Sequence, residues 1–249
     1  MRYFIEVAYM GNNYAGFQIQ KNAHTVQAEV ESALGIYYHH AHSLTGSSRT
    51  DAGVHAKQNF FHFDTDISIQ IQKDIYHLNA ILPADIVIKN MIPVSADAHC
   101  RFDALHRTYR YSIYQYKNPF LANNSFYVPY PLNAELLNAA ANTLMGTKSF
   151  KSFSKKNTQV HTHICTITAS YWQVHPHEIV YTVRGNRFLR GMVRGMVGTM
   201  LLVAKGKYSI QQFCEIIASD DASQTDFSVP AKGLTLQAVA FNIPQLSGS

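Results

Sequence analysis

The first hundred residues carry patterns of apolar and polar positions that predict both strands and helices. Alternation predicts a strand over Arg2–Tyr9, and apolar residues at helical spacing predict a helix that Thr25 caps and Gly35 ends. Further patterns predict a strand at Gln58–Phe63, a helix at Lys73–Ile81 and a strand at Ile86–Met91. This part of the chain is therefore expected to form an α+β unit.

The same succession of patterns returns in the second part of the chain. Alternation predicts a strand over Thr108–Tyr116, and Asn133 is predicted to cap a helix that ends at Gly146. The other predicted elements are strands at Cys165–Val174, Ile179–Arg184 and Leu234–Phe241, a long helix at Arg187–Ala204, and a short helix opened by a capping box of Ser209 and Gln212. We expect an α+β fold of two similar α/β units, residues 1–104 and 105–249, with mostly antiparallel sheets flanked by helices and a cleft between the units.

The composition is that of a folded protein, because 47% of the 249 residues are hydrophobic and 15% are charged. The alternating start contains Glu6 and lacks the pattern of a signal peptide. The longest apolar run, Thr199–Ala204, is far shorter than the roughly 18 residues of a spanning helix. Three widely spaced cysteines, Cys100, Cys165 and Cys214, predict reduced thiols. We expect a cytoplasmic protein that does not associate with membranes.

Charge is distributed unevenly between the two predicted domains. Residues 1–104 contain 7 Lys and Arg against 10 Asp and Glu, a net charge of −3. Residues 105–249 contain 14 against 6, a net charge of +8. A basic domain rich in tyrosine and phenylalanine fits nucleic-acid binding, and it fits an ordinary solvated surface equally well.

The most unusual segment is the loop of residues 46–56, whose sequence is GSSRTDAGVHA. Its glycines and small residues allow sharp turns and leave little bulk around Asp51, so the loop suits the display of one carboxylate. The alternative is an ordinary Asx-turn in which Asp51 hydrogen-bonds its own backbone.

Two further groups of residues suggest chemistry. Tyr109 shares a strand face with Tyr111 and Ile113, where its ring is placed either to stack on a base or to fill a core. Core packing is favoured for Tyr111, Tyr114 and Tyr116. Arg187, Arg190 and Arg194 are spaced to share one stripe of the long predicted helix, an arrangement that is usually a solvated face.

The loop around Asp51 resembles the signature of the tRNA pseudouridine synthase A family. Arg49 to Ala56 match the pattern of that family, whereas Ser48 stands where the family usually has glycine. Five further segments resemble the family in the expected order: Leu78–Pro83, Arg101–Ala104, Arg107–Tyr111, Phe188–Arg194 and Gly233–Leu234. The resemblance spans nearly the whole chain and implies the pseudouridine synthase fold.

The resemblance also implies a reaction and a substrate. Uridines 38, 39 and 40 in the anticodon stem-loop of tRNA would be isomerised to pseudouridine by a homodimer that contacts one tRNA with both subunits. The C1′–N1 bond breaks, the uracil rotates, and C5 joins C1′, so no cofactor and no metal are needed.

The resemblance assigns roles to Asp51, Tyr109 and Arg194, and the need to remove the base from its stack suggests one for Arg49. Asp51 is the catalytic carboxylate, which acts as a nucleophile, an electrostatic partner of a cationic sugar, or a base at C2′. Arg49 occupies the space that the target base leaves and contacts phosphate. Tyr109 contacts the target base and is placed to assist removal of the proton from C5, and Arg194 pairs with Asp51 and keeps it ionised.

Two rival functions use other features of the sequence. An RNA chaperone that has the fold without the catalysis is suggested by Ser48 in the signature. A metal-dependent hydrolase is suggested by His161, His163 and Cys165, which alternate as if on one face of a strand, although no second cluster with zinc-like spacing accompanies them.

Overall fold

The structure, a computed structural model, describes residues 1–155, 160–243 and 246 of the chain. Its strands are β1 (Arg2–Tyr9), β2 (Thr45–Gly46), β3 (His55–Asp64), β4 (Ile86–Val94), β5 (Ala104–Tyr114), β6 (Phe126–Tyr127), β7 (Gly146–Ser149), β8 (Ile164–Val174), β9 (Ile179–Gly185) and β10 (Leu234–Phe241). Its α-helices are α1 (Val26–Tyr38), α2 (Ile71–Ile81), α3 (Ala134–Thr143), α4 (Met192–Ala204) and α5 (Ile210–Ala218). No helix in the described ranges is long and apolar enough to cross a membrane.

The described chain divides into two units. The first unit comprises Met1–Leu105 and the segment from Leu236 onward, and the second comprises His106–Thr235. The last strand, which we predicted as part of the second domain, thus groups from Leu236 with the first unit. The division into independent domains at residues 104 and 105 stays a prediction.

The first unit is a sheet with helices α1 and α2. The strands follow the order β4, β1, β3 and β10, with β2 beside β3, and β1 runs antiparallel to both of its neighbours. Residues on both faces of β1 are buried, and the buried Glu6 accepts a hydrogen bond from Lys89 Nζ at 2.6 Å. The predicted strand and N-cap are confirmed, because β1 has the predicted bounds and the Thr25 side chain caps α1.

The predicted end of helix α1 at Gly35 is wrong, because the helix continues to Tyr38. The hydroxyl groups of Tyr37 and Tyr38 each donate a hydrogen bond of 2.8 Å to the buried carboxylate of Asp74 in α2. These tertiary contacts extend the helix past a residue that local propensity alone marks as a stop. The helix ends at His39, whose φ of 53° is left-handed.

The second unit has strands in the order β5, β9, β8 and β7, each antiparallel to the next. The short strand β6 pairs in parallel with β5. Helices α3, α4 and α5 belong to this unit, and both predicted caps are confirmed, because Asn133 caps α3 and Ser209 forms a capping box with Gln212. The predicted α+β class with mostly antiparallel strands is confirmed.

The long helix begins five residues later than predicted. Its N-cap is Gly191, whose φ of +75° breaks the helical path, so α4 starts at Met192. Arg187 and Arg190 precede the helix and do not share a helical stripe with Arg194. The predicted arginine stripe is therefore wrong.

Candidate active site

The loop between β2 and β3 has no regular secondary structure, yet hydrogen bonds from outside it hold its backbone. The Ser48 carbonyl accepts from Asn59 Nδ2 at 2.9 Å, and the Thr50 carbonyl accepts from the Phe17 amide at 3.1 Å. Because Asn59 is fully buried in β3, its bond ties the loop to the sheet of the first unit. The loop backbone is therefore anchored by residues outside the loop.

Buried side chains fix the same loop from its inner side. Thr50 Oγ1 lies 2.7 Å from Tyr9 Oη, and Asn59 Nδ2 donates to the same tyrosine oxygen at 3.2 Å. A side chain at Gly11 would collide with the Val54 carbonyl, so only glycine allows the β1 end to approach the loop this closely. These contacts place the loop without using the side chain of Asp51.

Asp51 lies half-buried at the turn of this loop. Its backbone carbonyl accepts from the Val54 amide at 3.1 Å. Within the described part of the chain, its carboxylate accepts no hydrogen bond and forms no ion pair, so the Asx-turn alternative is not formed. The carboxylate is held in place by the backbone and remains available to a substrate.

Ser48, which replaces the usual glycine of the signature, fits without strain. Its side chain is buried beside Ser47, with 3.4 Å between the two hydroxyl oxygens. It is not among the described non-glycine residues with positive φ. Glycine is therefore not required at this position by the backbone, and the exchange leaves the loop intact.

Arg49 is exposed and lines a cleft of about 260 Å³ in the first unit. The other described residues lining this cleft include His99, Arg101 and Phe102. An exposed guanidinium two residues from the catalytic candidate suits contact with a phosphate or a vacated base position.

Tyr109 lies in β5 opposite Val183 of β9, and its side chain is only 8% exposed. Its ring meets the Phe188 ring edge-on, with 5.1 Å between the centroids. Burial alternates so that Tyr109, Tyr111 and Ile113 share a face, as predicted. The contact with Phe188 thus fixes the orientation of the Tyr109 ring.

The other tyrosines of this region divide into core and surface. Tyr111 is fully buried, and its hydroxyl donates to the Pro230 carbonyl at 2.8 Å. A Cβ at Gly233 would lie 2.6 Å from this ring, which explains glycine there. The predicted burial of Tyr116 is wrong, because β5 ends at Tyr114 and Tyr116 is 79% exposed.

Arg194 lies in the first turn of α4 and anchors a neighbouring segment. Its Nε donates to the Val229 carbonyl at 2.9 Å, and its Nη2 donates to the Phe227 carbonyl at 3.3 Å. A guanidinium has five N–H groups, and the remaining ones donate to no residue in the described ranges. Arg194 is therefore oriented by two bonds and retains donors for a carboxylate.

Close packing explains the glycines that follow Arg194. A Cβ at Gly195 would lie 2.8 Å from the Phe227 ring, and a Cβ at Gly198 would collide with the Asp226 carbonyl. The Asp226 amide also donates to Thr199 Oγ1 at 3.1 Å. Residues 225–229 thus lie directly on α4, and the close approach that these glycines suggest is made by the chain itself.

The sequence of the whole chain is similar to proteins of known family. The family model described as "tRNA pseudouridine synthase" matches residues 140–242. A tRNA pseudouridine synthase A from Azobacteroides pseudotrichonymphae is 41% identical over 240 residues, which cover 96% of each chain. Proteins of the same name from Porphyromonas gingivalis and Staphylococcus aureus strain MRSA252 are 41% and 37% identical, covering 96% of this chain and 97% and 91% of theirs. This chain belongs to the tRNA pseudouridine synthase A family.

Family membership confirms the resemblance drawn from the signature and makes the protein an isomerase that forms pseudouridine in tRNA. The roles of Asp51, Arg49, Tyr109 and Arg194 stay predictions. Asp51 and Arg49 belong to the first unit, and Tyr109 and Arg194 belong to the second.

Sequence reasoning did not find the residues that hold the Asp51 loop. Asn59 carried a usable signal, since an amide in an otherwise apolar strand needs buried hydrogen-bond partners. Tyr9 and Phe17 carried no such signal in the sequence, because each contacts Thr50, which lies more than thirty positions further along the chain.

The histidine and cysteine cluster proposed for a metal is not assembled. His161 and His163 precede β8, which begins at Ile164. Cys165 is buried, and burial raises the pKa of its thiol to about 11, which disfavours the thiolate that binds metals. In the described ranges, no three His, Cys, Asp or Glu residues are grouped to hold a metal ion.

Proposed function

We propose that this isomerase acts on uridines 38, 39 and 40 of the tRNA anticodon stem-loop, with Asp51 as its catalytic residue. The observation that supports Asp51 most directly is its loop, which is fixed by Asn59, Tyr9 and Phe17 while the carboxylate makes no described bond. Pre-positioning of a reactive group lowers the cost of reaching the transition state. A carboxylate engaged in a structural hydrogen bond would first have to break that bond before it could react.

The proposed chemistry needs one ionised carboxylate beside the sugar. Cleavage of C1′–N1 leaves the sugar electron-poor, and the freed uracil rotates until C5 faces C1′. After the C5–C1′ bond forms, the proton on C5 leaves and N1 gains a proton, so the product has the composition of the substrate. The roles of nucleophile, electrostatic partner and base at C2′ all start from the same ionised Asp51.

The other three residues act on the flipped nucleotide. We assign Arg49 to the space vacated by the base, because its guanidinium is exposed beside the Asp51 loop. Tyr109 is assigned to the target base, and its edge-on contact with Phe188 keeps the ring rigid. Arg194 is assigned as the partner of Asp51, because two backbone carbonyls orient it and leave donors available.

The assembly and location are part of the proposal. The family resemblance supports a homodimer whose two subunits contact one tRNA, and it supports action in the cytoplasm, where tRNA is modified. The net charge of +8 on residues 105–249 suits a surface that neutralises RNA phosphates.

The decisive experiment is incubation of the protein with unmodified tRNA, followed by carbodiimide-stop sequencing. New stops at positions 38, 39 and 40 are expected, and none with Asp51→Asn. Stops elsewhere would contradict the proposed sites. Tight tRNA binding without any new stop would instead support the RNA chaperone.

A further inference from the structure

A basic cleft with an exposed aromatic ring lies in the first unit, and we call it the Phe102 cleft, defined by Arg49, His99, Arg101 and Phe102. The side chain of Phe102 is 75% exposed. Because the ring lines a cleft together with Arg49, His99 and Arg101, its open surface is available for stacking by a base. Phe102 has no role in the chemistry described above.

The ring is displayed by a well-organised turn. The His99 amide donates to Asp103 Oδ2 at 2.7 Å, and the Phe102 amide donates to the His99 carbonyl at 3.1 Å. The His99 ring packs against Phe102, with 4.2 Å between the centroids. Phe102 is therefore held in place before any ligand arrives, which lowers the entropy cost of binding.

Buried residues fasten this turn to the sheet. Cys100 is fully buried, and its amide donates to Nδ1 of His62 in β3 at 3.3 Å. The Cys100 thiol donates to the Thr45 carbonyl at 3.1 Å. Both partners belong to the strands that flank the Asp51 loop, so the loop and the turn share one rigid support.

The charge of the cleft is opposite to the charge of its surroundings. Residues 1–104 carry a net charge of −3, yet none of the described residues that line the cleft is acidic. Arg49 and Arg101 both line it, and the Arg101 guanidinium lies 5.8 Å from the Phe102 ring centre. Two arginines beside an open ring match a phosphate beside a base.

The cleft is close to the catalytic candidate. Arg49 precedes Asp51 by two residues, so their Cα atoms are at most about 7 Å apart. RNA with its target uridine at Asp51 would therefore have its neighbouring nucleotides close to the Arg49 side of the cleft.

We propose that the Phe102 cleft binds an unpaired nucleotide next to the target uridine, with its base stacked on Phe102 and its phosphate held by Arg49 and Arg101. The inference deepens the proposed function and rests on it. Stacking accepts any base, so the cleft would serve tRNAs that differ in sequence around the target.

The test compares variants of Phe102 in binding an unmodified tRNA transcript. Loss of one stacked base weakens binding roughly 5- to 100-fold. Phe102→Ala and Phe102→Leu should both show this loss, because leucine restores apolar surface without a ring. Phe102→Trp should bind within about threefold of the wild type. Tyr76→Ala is the matched control, because Tyr76 is an aromatic residue 72% exposed in α2 of the same unit that does not line the cleft, so its loss should leave affinity unchanged.

A fluorescent base locates the contact independently of activity. With 2-aminopurine next to the target uridine, we expect the wild type to quench fluorescence and Phe102→Leu to abolish the quenching. Equal affinity of Phe102→Leu and wild type, without a change in quenching, would overturn the inference. A change in the oligomeric mass of Phe102→Ala at unchanged RNA affinity would also overturn it, because the ring would then cover a protein surface.

The two proposals fail in different ways. A wild-type protein that makes no pseudouridine contradicts the proposed function, whatever Phe102 does. A wild-type protein that makes pseudouridine at positions 38–40, with Phe102 variants that bind and quench normally, contradicts only the nucleotide site. Melting temperatures equal to the wild type would show that the exposed substitutions leave the fold intact.

Discussion

The Asp51 loop and the first turn of helix α4 hold their charged residues in opposite ways. In the loop, Asn59, Tyr9 and Phe17 fix the backbone, and the Asp51 carboxylate contributes no described hydrogen bond. In the helix, Arg194 itself joins the turn to the carbonyl groups of Val229 and Phe227.

Asp51 is therefore expected to contribute to the reaction and not to the stability of the fold, whereas Arg194 is expected to contribute to both. A residue that its neighbours position can be exchanged without loss of structure, so its variants report on the reaction alone. A residue that also anchors the chain affects both properties when it is exchanged. The comparison thus predicts how each substitution divides between turnover and unfolding.

The largest effect is expected for Asp51→Asn. Loss of the ionised carboxylate should lower turnover roughly 10³- to 10⁴-fold, whereas the free energy of unfolding should stay within about 0.5 kcal/mol. Binding of tRNA should stay within a few-fold. Single-turnover assays and urea unfolding measure the two properties, and Asp66→Asn, an exposed carboxylate of the same unit, is the control. A large loss of stability would mean that the carboxylate supports the loop.

Tyr109→Phe is expected to have the next largest effect. The ring and its edge-on contact with Phe188 are retained, so tRNA affinity should not change. If the hydroxyl takes part in removing the C5 proton, product formation should fall roughly 10²-fold or more. Tyr116→Phe removes an exposed hydroxyl and serves as the control. Full activity of Tyr109→Phe would show that the hydroxyl group takes no part in the reaction and that Tyr109 only stacks on the base.

Arg194→Met should change turnover and stability together. Removal of the cation lowers turnover more than tRNA binding if Arg194 keeps Asp51 ionised. Loss of two charged hydrogen bonds should also destabilise the fold by about 1–3 kcal/mol. Arg190→Met, which removes an exposed cation just before the helix, should do neither. Unchanged stability of Arg194→Met would contradict the anchoring role, and unchanged turnover would contradict the pairing with Asp51.

Secondary structure was most predictable where alternation continues to the end of an element. Strands β1 and β10 have the predicted bounds, because their sequence patterns continue from one turn to the next. The predicted end of α1 is wrong for a tertiary reason, and the predicted start of α4 is wrong for a local one. Tyr37 and Tyr38 extend α1 by bonding Asp74, and Gly191 delays α4 through its left-handed conformation.

The candidate site was predictable only in part. Asp51 and Arg49 were found through the signature, because both belong to one continuous sequence motif. The anchors of Arg194 were missed, since Val229 and Phe227 act through backbone carbonyls that carry no sequence signal. The exposure of Phe102 also could not be read from an apolar residue type.

The smallest effect concerns pH and again distinguishes the first unit. His62 supports the turn of the Phe102 cleft, and burial, followed by the nearby charges of His99 and Arg2, lowers the pKa of its imidazole to about 4. Asp64 and Asp103 oppose this shift without reversing it. Protonation would also convert Nδ1, which accepts from the Cys100 amide, into a donor.

The sign of the pH effect follows from proton uptake. As pH falls below the ordinary histidine value of about 6.5, the unfolded chain gains a proton that folded His62 does not take up. The free energy of unfolding should therefore fall between pH 7 and pH 5, with about 1.5–2 kcal/mol due to His62. Urea unfolding followed by circular dichroism should show a smaller loss for His62→Gln than for the wild type. Arg194→Met, whose missing group does not titrate in this range, should retain the wild-type pH dependence, and equal losses in wild type and His62→Gln would show that His62 does not contribute.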